Sequence, residues 1–273
     1  MIFWIVLGSA VFIIALIHIA NAIYLRNAWE LVEFELCQKR IPSELDGYKI
    51  AFVSDPHFKR NGKERRIREV VAAVNMKQPD LLLLGGDFGH DMRRSIALLD
   101  RIEAGDGKYC VYGNHDYKRD RTPLTEALQG SDITLLKNEG KYIRQRFYLA
   151  GLDDYRYGKP NVDEAVAQAS AEDFVLVLSH NPDTMEQLGN QHIDAMLSGH
   201  THGGQITFFN LFAPVCSSRY GNKYRTGCKR YKGKPLLLVS NGIGTSLLPI
   251  RMFAKPQVHI ITLRHQRGEE YGT

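Results

Sequence analysis

Residues 49–87 read KIAFVSDPHFKRNGKERRIREVVAAVNMKQPDLLLLGGD. Two short apolar runs, at 49–54 and 81–84, flank a segment (63–76) whose apolar residues recur at the spacing of a helix face. A strand–helix–strand pattern of this length predicts two parallel strands joined by a helical crossover. A carboxylate closely follows each apolar run, Asp55 after the first and Asp87 after the second.

The same alternation of apolar runs and helical segments continues along the chain. Further helices are predicted at 92–104, 162–169 and 182–188. Further strands are predicted at 109–112, 133–136, 147–150, 174–178, 195–197, 206–209, 236–239 and 258–263. We therefore expect one α/β domain at 47–273, preceded by an apolar segment at 1–25 and a linker at 26–46.

Polar residues of a few types cluster where the predicted strands end. Five loops carry Asp55, His57, Asp87, Asn114, His180, His200 and His202. Ligands bind at the carboxyl ends of strands in open α/β sheets, and mixed oxygen and nitrogen donors suit Mn, Fe or Zn. One such histidine, or one Gly-Asp pair, is usually a structural residue or a turn. Five loops of this kind favour two metal ions sharing a bridging carboxylate.

These motifs resemble a known family. Asp-x-His, Gly-Asp, Gly-Asn-His-Asp, Ser-His and Gly-His-Thr-His occur in the order typical of the calcineurin-like metallophosphoesterase superfamily. The apolar start and residues 180–183, 199–205 and 213–215 resemble its membrane-anchored YkuE/YaeI-type bacterial branch. That branch includes a chlamydial-type UDP-2,3-diacylglucosamine pyrophosphatase of lipid A synthesis. The resemblance implies a four-layer α/β/β/α sandwich.

The resemblance also implies a role for each site residue. One metal would be held by Asp55, His57 and His202, and the other by Asn114, His180 and His200, with Asp87 bridging both. His115 would protonate the leaving oxygen or stabilise the transition state, and Asp116 would orient His115. Manganese is the expected metal, with zinc, iron or magnesium as alternatives. Pro56 departs from the more usual Leu or Ile, and we expect it to alter loop rigidity rather than metal binding.

The first 25 residues contain no charged side chain. As a helix, residues 2–25 would extend about 36 Å, against about 30 Å of hydrocarbon core, which predicts one transmembrane span. A cleaved signal peptide is the alternative, because Ala20-Asn21-Ala22 has the form of a cleavage site, but no basic residue precedes the apolar run. Arg26, Lys39 and Arg40 follow the span, which predicts that the domain lies in the cytoplasm. The resemblance to the bacterial branch implies that the membrane is a bacterial inner membrane.

Cysteine content agrees with a cytoplasmic location. Four cysteines are too few for a disulfide scaffold in a chain of 273 residues. We expect reduced thiols, although Cys216 and Cys228 could form a disulfide in an extracellular domain.

Charge is divided unevenly along the chain. The net charge is +5, with 44% apolar and 24% charged residues, which excludes a disordered, collagen-like or polytopic membrane protein. Residues 1–194 carry a net charge of −4 and residues 195–273 one of +9, with no acid between Asp194 and Glu269. The last quarter is therefore expected to meet an anionic partner. Its apolar stretches are 206–215 and 247–255; we expect a core strand at 206–209 and leave 247–253 as core or membrane contact.

The sequence is compatible with three functions. The first is a membrane-anchored phosphodiesterase or pyrophosphatase acting on a lipid-linked phosphorylated substrate. The second is a broad phosphoesterase for soluble, nucleotide or cell-wall phosphoesters, and the third is a non-catalytic scaffold. The basic, tyrosine-containing run after residue 219 could also bind nucleic acid, but the anchor argues against that partner. The sequence leaves the oligomeric state open.

Overall fold

The computed structural model describes residues 1–25, 27–59 and 64–266. Its helices are α1 (Ile2–Leu25), α2 (Arg65–Asn75), α3 (Met92–Leu99), α4 (Asn114–Tyr117), α5 (Thr122–Gln129) and α6 (Val162–Val166). Its strands are β1 (Glu30–Gln38), β2 (Lys49–Val53), β3 (Leu81–Leu84), β4 (Lys108–Cys110), β5 (Ile133–Leu135), β6 (Glu139–Arg144), β7 (Phe147–Gly151), β8 (Phe174–Leu178), β9 (Ala195–Ser198), β10 (Gly227–Arg230), β11 (Leu236–Val239) and β12 (Gln257–His265).

Two sheets form from these strands. In the described part of the chain each sheet has six, in the orders β1-β12-β2-β3-β4-β5 and β10-β11-β9-β8-β7-β6. Strands β2 to β5 run parallel to one another, as do β7, β8, β9 and β11. The parallel strands predicted from residues 49–87 are therefore confirmed, and their carboxyl ends lie along one edge of each sheet.

The sheets pack face to face between two layers of helices. Alternate residues of β2 show why: Ile50 and Phe52 belong to the core between the sheets, whereas Ala51 and Val53 face the helical layer of α2, α3 and α5. Side chains alternate between faces along a strand, so a fully apolar strand can serve two cores at once. The second sheet is covered on its outer face by α6 and a 3₁₀ helix, Pro182–Gln187. The expected α/β/β/α sandwich is confirmed.

The segment expected to be a linker is instead part of the first sheet. Strand β1 pairs in parallel with β12 along its whole length, from Glu30 opposite Gln257 to Gln38 opposite His265. Leu36 is buried in the core between the sheets, and Phe34 packs against that core. Glutamates alternate with these apolar residues because β1 is an edge strand, and this mixture gives it the appearance of a linker. Arg26 lies outside the described residues.

Several predicted boundaries shift by a few residues. The helix expected at 63–76 spans Arg65–Asn75, with Lys63 outside the described residues, and the helix expected at 92–104 ends at Leu99. The helix expected at 182–188 is a 3₁₀ helix. Strands β6 and β10, both at sheet edges, were not predicted.

The prediction of a core strand at 206–209 is wrong. This segment is a loop with isolated bridges, and Phe208 and Phe209 are 53% and 45% exposed. The backbone turns away at Phe209 and Asn210, whose φ angles of 49° and 59° lie in the left-handed region.

The N-terminal helix lies outside the sandwich core. Among the described residues, α1 is the one helix long and apolar enough to cross a membrane, and its mean hydropathy is 2.6. Its side chains are largely exposed, whereas Leu25 at its end is buried. All four cysteines are free thiols, so the alternative disulfide between Cys216 and Cys228 is not formed.

Candidate metal centre

The carboxyl ends of the parallel strands converge on one site. Loops after β2, β3, β4, β8 and β9 carry all seven ligands expected from the sequence. The structure brings together Asp55, His57, Asp87, Asn114, His180, His200 and His202.

One half of the site consists of Asp55, His57 and His202. The Nε2 atoms of the two histidines are 3.0 Å apart. Asp55 Oδ1 lies 3.8 Å from His57 Nε2 and 3.5 Å from His202 Nε2. Three donor atoms converge here in a space that suits one metal ion.

The other half centres on His180. Its Nε2 atom lies 3.1 Å from Asn114 Oδ1 and 3.1 Å from His200 Nδ1. Asp87 Oδ2 is 3.5 Å from this nitrogen and 3.3 Å from His57 Nε2 in the first half. The Asp87 carboxylate therefore lies between the two groups, the position a bridging ligand requires.

The hydrogen bonds of His180 and His200 leave one ring nitrogen of each facing inward. His180 Nδ1 lies 2.7 Å from the Gly85 carbonyl, which can only accept, so Nδ1 donates and Nε2 faces the site. His200 Nε2 faces the Ser217 carbonyl at 3.4 Å, leaving its Nδ1 free for a metal. Such outer hydrogen bonds fix the tautomer of metal-binding histidines, so this donor set fits a pair of divalent ions.

Backbone strain is concentrated at the same residues. Asp55, His57, Asp87, His200 and His202 have φ angles of 52°, 43°, 59°, 69° and 52°. A residue with a Cβ atom rarely adopts this left-handed conformation, and each instance costs on the order of 1–3 kcal/mol. Strain of this kind persists where the surrounding structure enforces it, commonly at functional sites.

Two glycines make the close approach of these loops possible. A Cβ atom at Gly199 would overlap Ser54 Oγ and Asp55 Oδ2, and one at Gly113 would overlap Asp87 Oδ1. Any side chain at either position would push a ligand carboxylate out of place.

His115 and Asp116 lie beside the centre but differ in what they contact. The His115 ring is 5.0 Å from the His57 ring, and its backbone N–H donates to Asp87 Oδ1 at 2.7 Å. The Asp116 carboxylate accepts from the backbone N–H groups of Asp87, Phe88 and Gly113 at 2.8–2.9 Å. In the structure, then, Asp116 holds the loop that carries Asp87, whereas the resemblance implied that it orients the His115 ring.

Burial dominates the electrostatics of the centre. It raises the pKa of the Asp55 carboxyl, and together with His180 it lowers the pKa of His200 to about 3. Burial opposes a charge on His180 as well, but Asp87 and Asp55 raise the pKa of that imidazole to about 9. Buried carboxylates therefore draw a positive charge into the centre, which divalent cations supply when bound.

Arg251 supports the first half of the centre and was missed by sequence reasoning. Its guanidinium is only 2% exposed and lies 3.1 Å from His202 Nδ1. It also donates to the carbonyls of Asn241, Gly242 and Gly244 at 2.5–3.1 Å. An arginine within an otherwise apolar stretch was the available signal, because a buried charge needs many partners.

Asp154 is a second residue that sequence reasoning missed. It follows β7 and is fully buried; one of its oxygens accepts from the backbone N–H groups of Arg156 and Tyr157, at 2.9 and 2.7 Å. Its other oxygen has no hydrogen-bond partner within the described residues, and its charge contributes to the raised pKa of His180. The signal was the same as for the ligands, an aspartate after an apolar strand.

Two concave regions flank the pair of His57 and His202. A cavity of about 430 Å³ is lined by His57, Lys59 and Arg65 and reaches Leu25 at the end of α1. A groove of about 320 Å³ on the other side is lined by His202, Ile206, Val215, Leu247 and Leu248, among others. The centre is thus open to a cationic cavity and to an apolar groove.

Comparison with known proteins identifies the family. Residues 48–204, which carry all the ligands, match the calcineurin-like phosphoesterase family. The chain belongs to this family. It is a metallophosphoesterase, a hydrolase that acts on phosphoester bonds.

Relatives from bacteria and a vertebrate share most of this chain. It is 30% identical over 247 residues to the metallophosphoesterase YkuE of Bacillus subtilis, covering 86% of this chain and 85% of YkuE. It is 31% identical over 250 residues to the phosphodiesterase YaeI of Escherichia coli, covering 84% of this chain and 88% of YaeI. A transmembrane protein with a metallophosphoesterase domain from Danio rerio is 25% identical over 275 residues, covering 93% of this chain and 62% of that protein. Together with α1, this last relative fits a single-pass membrane protein.

Proposed function

We propose that this protein uses two divalent metal ions to hydrolyse a phosphodiester or pyrophosphate bond of a lipid-linked substrate at a membrane. The observation that carries the proposal is the Asp87 carboxylate between two converging sets of donors. When bound, the two ions would neutralise phosphoryl oxygens and lower the pKa of a shared water molecule. Manganese is the proposed metal, with zinc, iron or magnesium as alternatives.

The residues around the centre have separate tasks in this proposal. His115 would protonate the leaving oxygen or stabilise the transition state, because its half-buried ring lies at the edge of the centre. Asp116 keeps Asp87 in place through the backbone. Lys59 and Arg65 line the cavity beside His57 and would attract the remaining anionic part of the substrate.

UDP-2,3-diacylglucosamine, a precursor of lipid A, is the substrate we propose first. It combines a pyrophosphate with acyl chains, and the centre lies between a cationic cavity and an apolar groove. The end of α1 lines that cavity, so the reaction would take place close to the membrane surface.

A broad phosphodiesterase or phosphatase for soluble or cell-wall phosphoesters is the second candidate. YaeI, which this chain resembles over most of its length, is a phosphodiesterase by name. A non-catalytic scaffold is a remote third candidate, because such a protein would be expected to lack ligands and all seven are present here.

A substrate panel separates these candidates. The purified full-length protein in detergent, stripped of metal and reloaded with manganese or zinc, is given UDP-diacylglucosamine, a simple diester and a simple monoester. Release of UMP from the lipid at a rate above that of diester hydrolysis is the expected result. Rapid diester hydrolysis without any lipid turnover would favour the second candidate, and no turnover of any substrate the third.

The proposed location is the bacterial inner membrane, with the catalytic domain in the cytoplasm. Cys37 and Cys228 are exposed free thiols of that domain and serve as reporters. A membrane-impermeant maleimide should label them only after spheroplasts are lysed. Labelling of intact spheroplasts would place the domain on the outer side.

A further inference from the structure

Two loops beside the metal centre expose an unusual amount of apolar surface. Loops 206–215 and 244–253, named here the apolar loop pair, carry Leu211, Val215 and Leu247 at 83%, 78% and 92% exposure. Further apolar side chains that are at least 40% exposed are Phe208, Phe209, Phe212, Leu248 and Ile250. Contiguous apolar surface of this kind marks an interaction site.

The two loops form one continuous surface. The backbone N–H of Thr207 donates to the Met252 carbonyl at 3.0 Å, and the N–H of Met252 donates to the Gln205 carbonyl at 2.8 Å. The Gln205 side-chain amide adds a bond to the Leu248 carbonyl at 3.0 Å. Their apolar side chains are therefore presented together.

This surface is docked on α1 within its apolar stretch. The ring of His18 lies 4.9–5.6 Å from the rings of Phe208, Phe209 and Phe253. The Phe253 backbone N–H donates to Asn21 Oδ1 at 2.7 Å. His18 and Asn21 are three residues apart and share one helix face. They are two of the three polar side chains that interrupt the apolar span (the third is Ser9), and both contact these loops.

The contact fixes the depth of the loops relative to the span. His18 lies seven residues before Leu25, which is about 10 Å along the axis of a helix. The span of about 36 Å exceeds the hydrocarbon core by only about 6 Å. Phenylalanine rings that contact His18 therefore lie at the level of acyl chains, not of bulk water.

We propose that the apolar loop pair inserts into the membrane leaflet beside the carboxyl end of α1. Its occupant is lipid acyl chain, because the surface continues a helix that lipid already surrounds. Charge plays little part in the contact: Arg251 is the cation of these two loops, and it is buried. Two lysines of the nearby basic run are engaged within the protein: Lys223 pairs with Glu186 at 2.5 Å and Lys234 donates to the Met185 carbonyl at 3.0 Å.

Insertion would give the metal centre an entrance from the bilayer. The groove that begins at His202 is lined by Leu247 and Leu248 of the inserted surface. An amphiphilic substrate could then pass from the leaflet into the groove without crossing water. This consequence rests on the proposed function, but the insertion itself does not.

Depth-dependent fluorescence quenching tests the insertion. Tryptophan is placed at Leu211 or Leu247 of the full chain in a Trp4→Phe/Trp29→Phe background, and the protein is reconstituted into vesicles with brominated acyl chains. The matched control is Met76→Trp, which is 82% exposed and follows α2 at the end of the sandwich remote from the metal centre. Circular dichroism confirms that each variant is folded.

We expect brominated lipid to quench Leu211→Trp and Leu247→Trp about threefold or more relative to Met76→Trp, at both low and high salt. Quenching no stronger than in the control, with equal access to aqueous iodide, would overturn the proposal. Protection from iodide without quenching by lipid would also overturn it, because a second copy of the chain would then cover the surface. Substrate turnover is not measured, so this result is independent of the proposed function.

Discussion

Only three residues, 203–205, separate His202 of the metal centre from Ile206 at the start of the apolar loop pair, yet the two regions are stabilised in opposite ways. In the metal centre the side chains are buried and polar, and hydrogen bonds to backbone carbonyls orient the imidazoles of His180 and His200. In the apolar loop pair the side chains are exposed and apolar, and the loops are held by backbone bonds and by α1. The first region needs a cation to balance its charge, whereas the second needs an apolar solvent.

Arg251 joins the two regions. Its backbone belongs to the loop pair, while its guanidinium lies 3.1 Å from His202 in the metal centre. The proposed membrane contact and the candidate metal centre therefore meet at one side chain. Three variants within these regions test how far they depend on each other, and a fourth lies outside both.

The largest effect is expected for Asp87→Asn, which removes the charge between the two sets of donors. Metal content and phosphodiester turnover should fall together, and turnover should fall by more than about 100-fold. Loss of even a hydrogen-bond partner of a metal ligand typically lowers metal affinity or activity by about 10–100-fold. Elemental analysis and a chromogenic diester measure both. Asp132→Asn, at a side chain that is 87% exposed, is the control. Full turnover with two bound metals in the Asp87 variant would contradict the assignment.

Arg251→Met tests the link between the regions. Loss of the guanidinium leaves several backbone carbonyls without a donor and frees the His202 ring, so metal affinity should fall by about 10–100-fold. Excess metal should restore part of the turnover of the folded variant. Arg230→Met, at an exposed position of β10, serves as the control. Unchanged metal affinity in the Arg251 variant would separate the two regions.

His259 sharpens the comparison because it is a buried histidine outside both regions. Burial lowers its pKa to about 4, so the folded protein keeps this imidazole neutral where the unfolded chain, with an ordinary pKa of about 6.5, is protonated. The neutral imidazole thus stabilises the folded protein in full above pH 6.5. As the pH falls from 6.5 toward 4, the free energy of unfolding decreases by up to about 1.4 kcal/mol per pH unit. Chemical unfolding of His259→Gln in detergent should lack this component. Parallel pH profiles of the free energy of unfolding for the variant and the parent protein would refute this prediction.

The smallest effect on stability is expected for Leu211→Ser/Leu247→Ser. Both side chains are more than four-fifths exposed, so the free energy of unfolding should change by no more than about 0.5 kcal/mol. Turnover of a lipid substrate in vesicles should nevertheless fall several times more than turnover of a soluble diester. Met76→Ser is the matched control. Equal loss for both substrates would show that the loop pair has no part in lipid access.

Local motifs explain why the metal centre could be predicted from the sequence. Each ligand lies within a few residues of an apolar strand, and parallel strands bring such positions to one edge. Arg251 could not be placed in this way because its partner His202 is 49 residues distant. The role of Asp116 was also inaccessible, since its partners are backbone N–H groups rather than the neighbouring ring.

Apolar patterning failed in two places for different reasons. Phe208 and Phe209 are apolar in the sequence, and this is expected of a residue in a protein core as well as of one exposed to lipid. Hydrophobicity alone does not distinguish the two environments. Strand β1 could not be predicted from its own residues. Its alternating glutamates are explained by its place at the edge of a sheet, and that place depends on pairing with a strand more than 200 residues further along the chain. The linker prediction therefore failed at the step that needs long-range pairing.

The pairing of β1 with β12 also has a consequence for biosynthesis. Glu30 follows the membrane helix within five residues, and its partner Gln257 lies 227 positions later. While the ribosome is still making the domain, β1 is held at the membrane with an open edge, and β2 lacks its neighbour β12. Non-local pairing of this kind is slow because a long loop must close first. The first sheet can be completed only when β12 has left the ribosome, so the folding of this sheet must wait for the synthesis of residues 257–265.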